Sequence, residues 1–399
     1  MTVLVIMLLF VLSCGVAYAI CRSFFKRSAF LGIEYSVKID RVERLVSESF
    51  TFSQTVINRR GKPIACLKTE TCLPEGLYFL LPDGQGGERE SRQVESVFCL
   101  PAGATVTRTW FVVCRHRGNF AFGDTLLLRT DPFGGTAASL RVTPTDGYAR
   151  LRVLPRPEKR LERLALTEVF SGCYQTVVGT TPDLTLIRGV REYTSRDPFN
   201  RIHFKASAKL GHLVVRECEQ LQNDVYNIVL NMQSRIMEPH GGTDITRPDH
   251  IEDCISVCAS LLDSAAAVNS PVCLLANIPT EEEGELFRSA EFQGQEDLLS
   301  AYRMLAELPM QMSMPAEQML DKILEESWLY ERGGHIVMVS AYVDDRMINF
   351  AEAMRDRGVR VIFFITTSYQ NTANIPERTE IYIRYPNGIF EEVHRDGTA

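Results

Sequence analysis

The densest run of chemistry-bearing side chains lies between positions 191 and 217. It reads Arg191-Glu192-Tyr193, then Asp197, Arg201-Ile202 and Lys205-Ala206-Ser207-Ala208, with Leu213-Val214-Val215-Arg216-Glu217 behind. Charges of both signs in so short a segment can surround a substrate, with His203 as a general base. They can equally pair with one another where the segment docks against neighbouring domains, because partly buried charges need partners. The pairing reading is preferred, since structural ion-pair networks are a common source of such clusters. A second set, His250, Cys254 and Cys258, recurs every four residues. One helix face could offer these groups to zinc, but a fourth ligand has no evident source, and cysteines at helical spacing are more often the buried face. The stretch from Met304 to Met319 reads as adaptable packing, with Met310, Met312 and Met314 able to form a partner-facing loop. Asp83-Gly84-Gln85-Gly86-Gly87 lacks the Lys-Ser/Thr and following helix of a phosphate loop and reads as a hairpin loop. Gly-x-Ser-x-Gly, His-Glu-x-x-His and Walker sequences do not occur, so no catalytic residue and no cofactor is assigned.

The elements that position these groups begin with a run from Thr2 to Cys21 that carries no charged side chain. At about 1.5 Å per residue it would span roughly 30 Å, which predicts a single transmembrane helix. A secretory signal would need a basic n-region, a shorter apolar core and a small-residue cleavage site. Val11-Leu12-Ser13-Cys14 loosely resembles a lipoprotein box, but it lies in the middle of the run. Arg22, Lys26 and Arg27 follow directly, so the anchor (1–27) contacts membrane lipid and leaves the body on the cytoplasmic side of the cell membrane. An odd number of irregularly spaced cysteines beyond residue 28 agrees with reduced thiols. The net charge of −7 comes without a basic stripe, which argues against nucleic acid as a partner.

Residues 33–153 alternate apolar and polar positions in short runs and read as an immunoglobulin-like β-sandwich. Residues 154–222 form a connector rich in Arg and Glu. From 223 to 399, buried-strand runs at Val225–Leu230, Val272–Ala276, Ile336–Val339 and Val359–Ile365 alternate with helical stretches at Pro248–Ala265, Gln295–Glu307, Pro315–Glu326 and Asp345–Arg357. That alternation predicts a Rossmann-like doubly wound sheet, so the expected class is α/β plus all-β.

The 191–217 segment, together with Arg117-Gly118, Phe122-Gly123 and Asp131-Pro132-Phe133-Gly134, closely resembles the signature of the family known as domain of unknown function fifty-eight. The resemblance implies a membrane anchor, an immunoglobulin-like sandwich and a von Willebrand A-like domain. It also implies partnership with a MoxR-type AAA+ ATPase, and often with a transglutaminase-like membrane protein. This chain departs from the family in having one apolar N-terminal run instead of two, Arg196 where a Gly is usual, and His203-Phe204 where Asp-Trp is usual.

A von Willebrand A-like domain implies a divalent cation held by Asp-x-Ser-x-Ser after the first strand, since a hard cation needs oxygen ligands. Here Asn231, Gln233 and Arg235 stand in those three positions, and a guanidinium opposes a cation. Ser340 or Ala341 replaces the later acidic ligand unless Asp344 or Asp345 reaches back. The site is therefore expected to be degenerate and without metal. By analogy with other open sheets, the strand-end face around Asn231, Gln233, Arg235 and Ser340 becomes the expected partner surface. The expectation for the whole chain is a non-enzymatic, membrane-anchored adaptor in protein assembly or activation. A cation-dependent adhesion domain and a cryptic enzyme built on Arg191–Lys205 are the alternatives.

Overall fold

The computed structural model describes residues 2–83, 86–130, 137–143, 150–158, 161, 181–194, 202–221, 225–238, 241–245, 247–282, 284–330, 334–367, 379–385 and 389–392. The chain divides into two compact units, Met1–Arg156 and Pro157–Ala399.

The first unit opens with helix α1, Thr2–Ser28, along which Leu9, Phe10, Val11, Leu12 and Phe24 are exposed. Among the described residues no helix is long and apolar enough to cross a membrane. The expected transmembrane anchor is corrected accordingly, and with it the single-pass placement and the cytoplasmic body that rested on it.

Strands β1 (Ile33–Ile39), β2 (Glu43–Leu45), β3 (Ser49–Asn58), β4 (Ile64–Cys72), β5 (Leu77–Pro82) and β6 (Glu88–Ser91) follow. Then come β7 (Gln93–Leu100), β8 (Thr105–Cys114), β9 (Gly118–Ala121), β10 (Thr125–Thr130), β11 (Ala137–Val142) and β12 (Arg150–Leu154). They form sheets of order β1-β3-β8-β5-β6, β11-β10-β4-β7 and β2-β12-β9. Alternation drives β3 inward at Phe50, Phe52, Gln54, Val56 and Asn58. Phe52 meets Phe79 edge-on, with ring centroids 5.6 Å apart, in a core shared with Phe98 and Phe122. The Tyr35 hydroxyl sits 2.7 Å from Thr125 Oγ1 inside that core, and burial pushes its pKa up while the Thr125 hydrogen bond opposes the rise. Between β4 and β7 the register slips. Ile64 pairs with Leu100 and Leu67 with Phe98, so Ala65 and Cys66 together oppose Cys99.

The second unit comprises β13 (Thr181–Glu192), α2 (Phe204–Leu210), β14 (Val214–Leu221), β15 (Tyr226–Leu230), β16 (Ser234–Glu238), β17 (Gly241–Ile245), α3 (Pro248–Ala267), β18 (Val272–Ala276) and β19 (Phe287–Arg288). It continues with α4 (Gly294–Glu307), α5 (Ala316–Glu325), β20 (His335–Ser340), α6 (Asp345–Asp356), β21 (Arg360–Ile365), β22 (Glu380–Arg384) and β23 (Phe390–Glu392). The largest sheet has the order β19-β18-β15-β20-β21-β22-β23, with antiparallel edges around five parallel strands. Val229, Leu275, Met338 and Phe363 pack against Met319 and Ile323 of α5 and Met347 and Met354 of α6. Elsewhere in this unit β13 pairs with β14 and β16 with β17, both antiparallel.

The expected fold class is corrected by these pairings. Among the described residues strand outweighs helix, and most ladders are antiparallel. Among the described residues parallel pairing is confined to β2–β12 and five strands of one mixed sheet, so a Rossmann-like, von Willebrand A-type doubly wound sheet does not describe the chain as a whole. The physical reason is that hydrophobic periodicity reports which runs are buried and not which strand each one pairs with. The antiparallel pair β13–β14 falls in the stretch that the pattern reads as connector, and the hairpin β16–β17 and edge strands β19 and β23 carry no strand signal of their own.

Candidate functional site

The signature segment folds around the start of β14. Arg191 and Glu192 end β13 opposite Val215 and Val214, and the Tyr193 amide donates to the Leu213 carbonyl at 3.0 Å. On the other side Ile202 bridges to Val215, and the His203 amide donates to the Val214 carbonyl at 2.8 Å. Val214 and Val215 are thereby paired on both edges and buried. Asp197 and Arg201 lie outside the described residues.

His203 is the N-cap of α2, its Nδ1 accepting from the Ala206 amide at 3.3 Å. This cap commits Nδ1 to the helix start. Ser207 is buried, donates to the His203 carbonyl and accepts from the Val214 amide at 2.9 Å, which ties α2 to β14. Lys205 is exposed, and the Glu192 carboxylate stands 3.9 Å from His212 Nε2. Backbone ladders and a helix cap thus join Arg191, Glu192, Tyr193, His203 and Ser207, while Lys205 stands apart in solvent.

The strand-end face is built by the residues that follow β15 and β18 and by those at the end of β20. Asn231 is 0% exposed; its Nδ2 donates to Ser340 Oγ at 3.0 Å, and its Oδ1 accepts from the Gln233 amide at 3.0 Å and from Asn277 Nδ2 at 3.4 Å. The Gln233 contact is the side-chain-to-backbone turn that Asn forms after a strand. Asn277, also 0% exposed, accepts from the Met232 amide at 2.8 Å and donates to the Met314 carbonyl at 2.9 Å. Gln233 Oε1 accepts from the Ala316 amide at 2.8 Å, capping α5, whose own N-cap is Pro315. Ser340 Oγ also accepts from the Tyr342 amide at 3.2 Å. The backbone of Arg235 lies in β16, opposite Asp244, so it belongs to a hairpin rather than to a turn over the strand ends.

This geometry brings Asn231, Gln233 and Ser340 together and adds Asn277, which sequence reasoning missed. Its available signal was an amide directly after a wholly buried strand, the same placement as Asn231. The four side chains hydrogen-bond to one another and to backbone, and Asn231, Gln233, Ser340 and Asn277 are all buried. They clamp three strand ends to the start of α5. Being buried, they are not themselves the partner-facing surface expected there. Asp344 is likewise engaged, as N-cap of α6 accepting from the Met347 amide at 3.0 Å.

On α3, Cys254 and Cys258 are fully buried. Burial pushes the Cys254 thiol up to about 12, opposed by its contact with Thr366 Oγ1 at 3.4 Å, and raises Cys258 well above the usual thiol range. Among the described residues no group of three His, Cys, Asp or Glu side chains could hold a metal ion. An open cleft of about 480 Å³ lies between the end of β18 and α4, lined by Ile278, Pro279, Phe287, Met304 and Leu308.

No family model matches the chain. No curated protein matches it either. Similar solved structures include a CARDB domain from Pyrococcus furiosus described in complex with di-metal ions, at 10% identity and a TM-score of 0.19, covering 30% of this chain and 91% of that one. They also include the alkylpurine DNA glycosylase AlkC of Pseudomonas fluorescens bound to DNA containing an abasic site analog, at 13% identity and a TM-score of 0.18, covering 31% of this chain and 30% of that one. At these scores neither likeness carries an argument about function.

Proposed function

We propose that the protein is a non-enzymatic adaptor that works with a MoxR-type AAA+ ATPase in assembling or activating other proteins. The observation that carries this reading is the closed amide network at the strand ends. Asn231, Gln233, Asn277 and Ser340 hydrogen-bond one another and the neighbouring backbone, which supports a structural role for these side chains. The resemblance of the 191–217 segment to the domain of unknown function fifty-eight family supports the choice of an ATPase partner, and extends to a transglutaminase-like membrane protein. The exposed apolar side chains Phe204 (70%), Leu210 (54%) and Leu213 (47%) around α2 offer such a partner a docking patch beside that segment.

The test is affinity capture of the tagged full chain with the ATPase encoded beside it, with and without ATP. Capture that is lost in a Phe204→Glu, Leu210→Glu double variant with unchanged circular dichroism agrees with the proposal. Failure to recover the ATPase under either condition refutes it. A His203→Phe variant loses the α2 cap and some stability on either reading, so the discriminating readout is turnover per folded molecule, which falls for an enzyme and has no counterpart in an adaptor.

A further inference from the structure

Five described cysteines are exposed, Cys14, Cys21, Cys66, Cys72 and Cys99, and all are free thiols. Two of them meet across one feature of the fold. At the β4–β7 bulge, Ala65 and Cys66 share Cys99 as their opposite residue, and Ala65, Cys66 and Cys99 all lie on the solvent side of the sheet. In a bulge the doubled residues turn toward the same face as the single residue they oppose. Opposed residues in an antiparallel pair have Cα atoms about 4.5–5.5 Å apart, inside the about 4.4–6.8 Å that a disulfide spans. β7 is the edge strand of its sheet, so small adjustments there disturb no further ladder. Cys72 lies on the same strand β4 and is also exposed, but it faces Gln93.

We propose that Cys66 and Cys99 form a reversible dithiol–disulfide pair, a redox modification site that pins the edge strand β7 to β4. The oxidant is a low-molecular-weight disulfide. The thiolate of one cysteine attacks a sulfur of that disulfide, which breaks the oxidant's S–S bond and releases one small thiolate. The second protein thiolate then attacks the first cysteine's sulfur in the mixed disulfide and displaces the other small thiolate. Two protein thiols are oxidised, one disulfide is reduced to two small thiols, and the two protons lost by the protein are taken up by the released thiolates. Cys72, with no thiol opposite it, stops at the mixed disulfide.

The test incubates the full chain with oxidised glutathione, blocks remaining thiols by alkylation and maps peptides by mass spectrometry. The expected result is a cross-linked peptide joining Cys66 to Cys99, lighter by two hydrogens than the reduced pair and restored by dithiothreitol, with glutathione retained on Cys72. In Cys66→Ser, Cys99 should instead retain glutathione; Cys99→Ser should do the same for Cys66, which gives a second reading if one variant folds poorly. Glutathione retained on both Cys66 and Cys99 of the same molecule, or bridges that join either of them to Cys72 in equal yield, would overturn the proposal.

Discussion

Replacing Asn277 by alanine tests whether the amide network holds the strand ends together. The substitution removes the acceptor of the Met232 amide and a donor to the Met314 carbonyl, both at buried positions, while Asn231 Oδ1 keeps its contact with the Gln233 amide. A buried polar group stripped of its partner costs about 1–3 kcal/mol, so two such groups set a ceiling near 6 kcal/mol. A water entering the vacated space would recover part of that cost. The expected loss is about 2–4 kcal/mol in urea unfolding followed by circular dichroism. Hydrogen exchange supplies the local readout, because the same energy corresponds to a roughly 30- to 700-fold faster exchange of the Met232 amide at about 1.4 kcal/mol per factor of ten. A loss below about 0.5 kcal/mol with Met232 protection intact would refute the reasoning, since the bond credited with closing the loop would then be dispensable.

Gln233→Ala removes the acceptor that caps α5 from outside and should cost about 0.5–2 kcal/mol, with faster exchange in the first turn from Ala316; unchanged exchange there would assign the cap elsewhere. Ser207→Ala leaves the buried Val214 amide without its hydroxyl acceptor and should cost about 1–3 kcal/mol in the same unfolding assay, whereas Lys205→Ala should be neutral. Burial raises Cys254 from an unfolded value near 8.5 to about 12, so between those values the folded state holds the proton that the unfolded state has lost. Stability contributed by this thiol is therefore complete below about pH 8.5 and declines above it, by up to about 1.4 kcal/mol per pH unit, and Cys254→Ala should flatten that alkaline slope.

The buried elements were the most legible part of the fold. Helix α3 announces itself by Pro248 at its start and a buried stripe through Ile251, Cys254, Ile255, Cys258 and Leu262, and β18 by an unbroken apolar run. What the pattern could not supply was pairing. Ser234–Glu238 and Gly241–Ile245 form a hairpin whose partners lie a few residues apart, yet no alternation distinguishes it from a loop. The N-terminal run reads as an anchor from its composition, whereas among the described residues no helix is long and apolar enough to cross a membrane. At the candidate site the identities of Asn231 and Ser340 were readable as a departure from a metal motif. Asn277 was not, because its contribution depends on β18 lying beside β15, which is a fact of register.

The parallel pairing of β15 with β20 has a consequence for how the chain acquires its structure. Tyr226 of β15 faces His335 of β20, with their rings stacked 4.6 Å apart, and about a hundred residues separate the two in sequence. During synthesis at about 5–20 residues per second, one edge of β15 waits on the order of 5–20 s for its neighbour after it has left the ribosome. Such long-range closure is slow even in the free chain. Throughout that interval Ile228 and Leu230, buried in the finished protein, belong to a strand with an unpaired side. Biogenesis of this second unit should thus be sensitive to anything that shields an open strand edge while residues 231–334 emerge, and a C-terminal truncation before His335 should aggregate rather than fold.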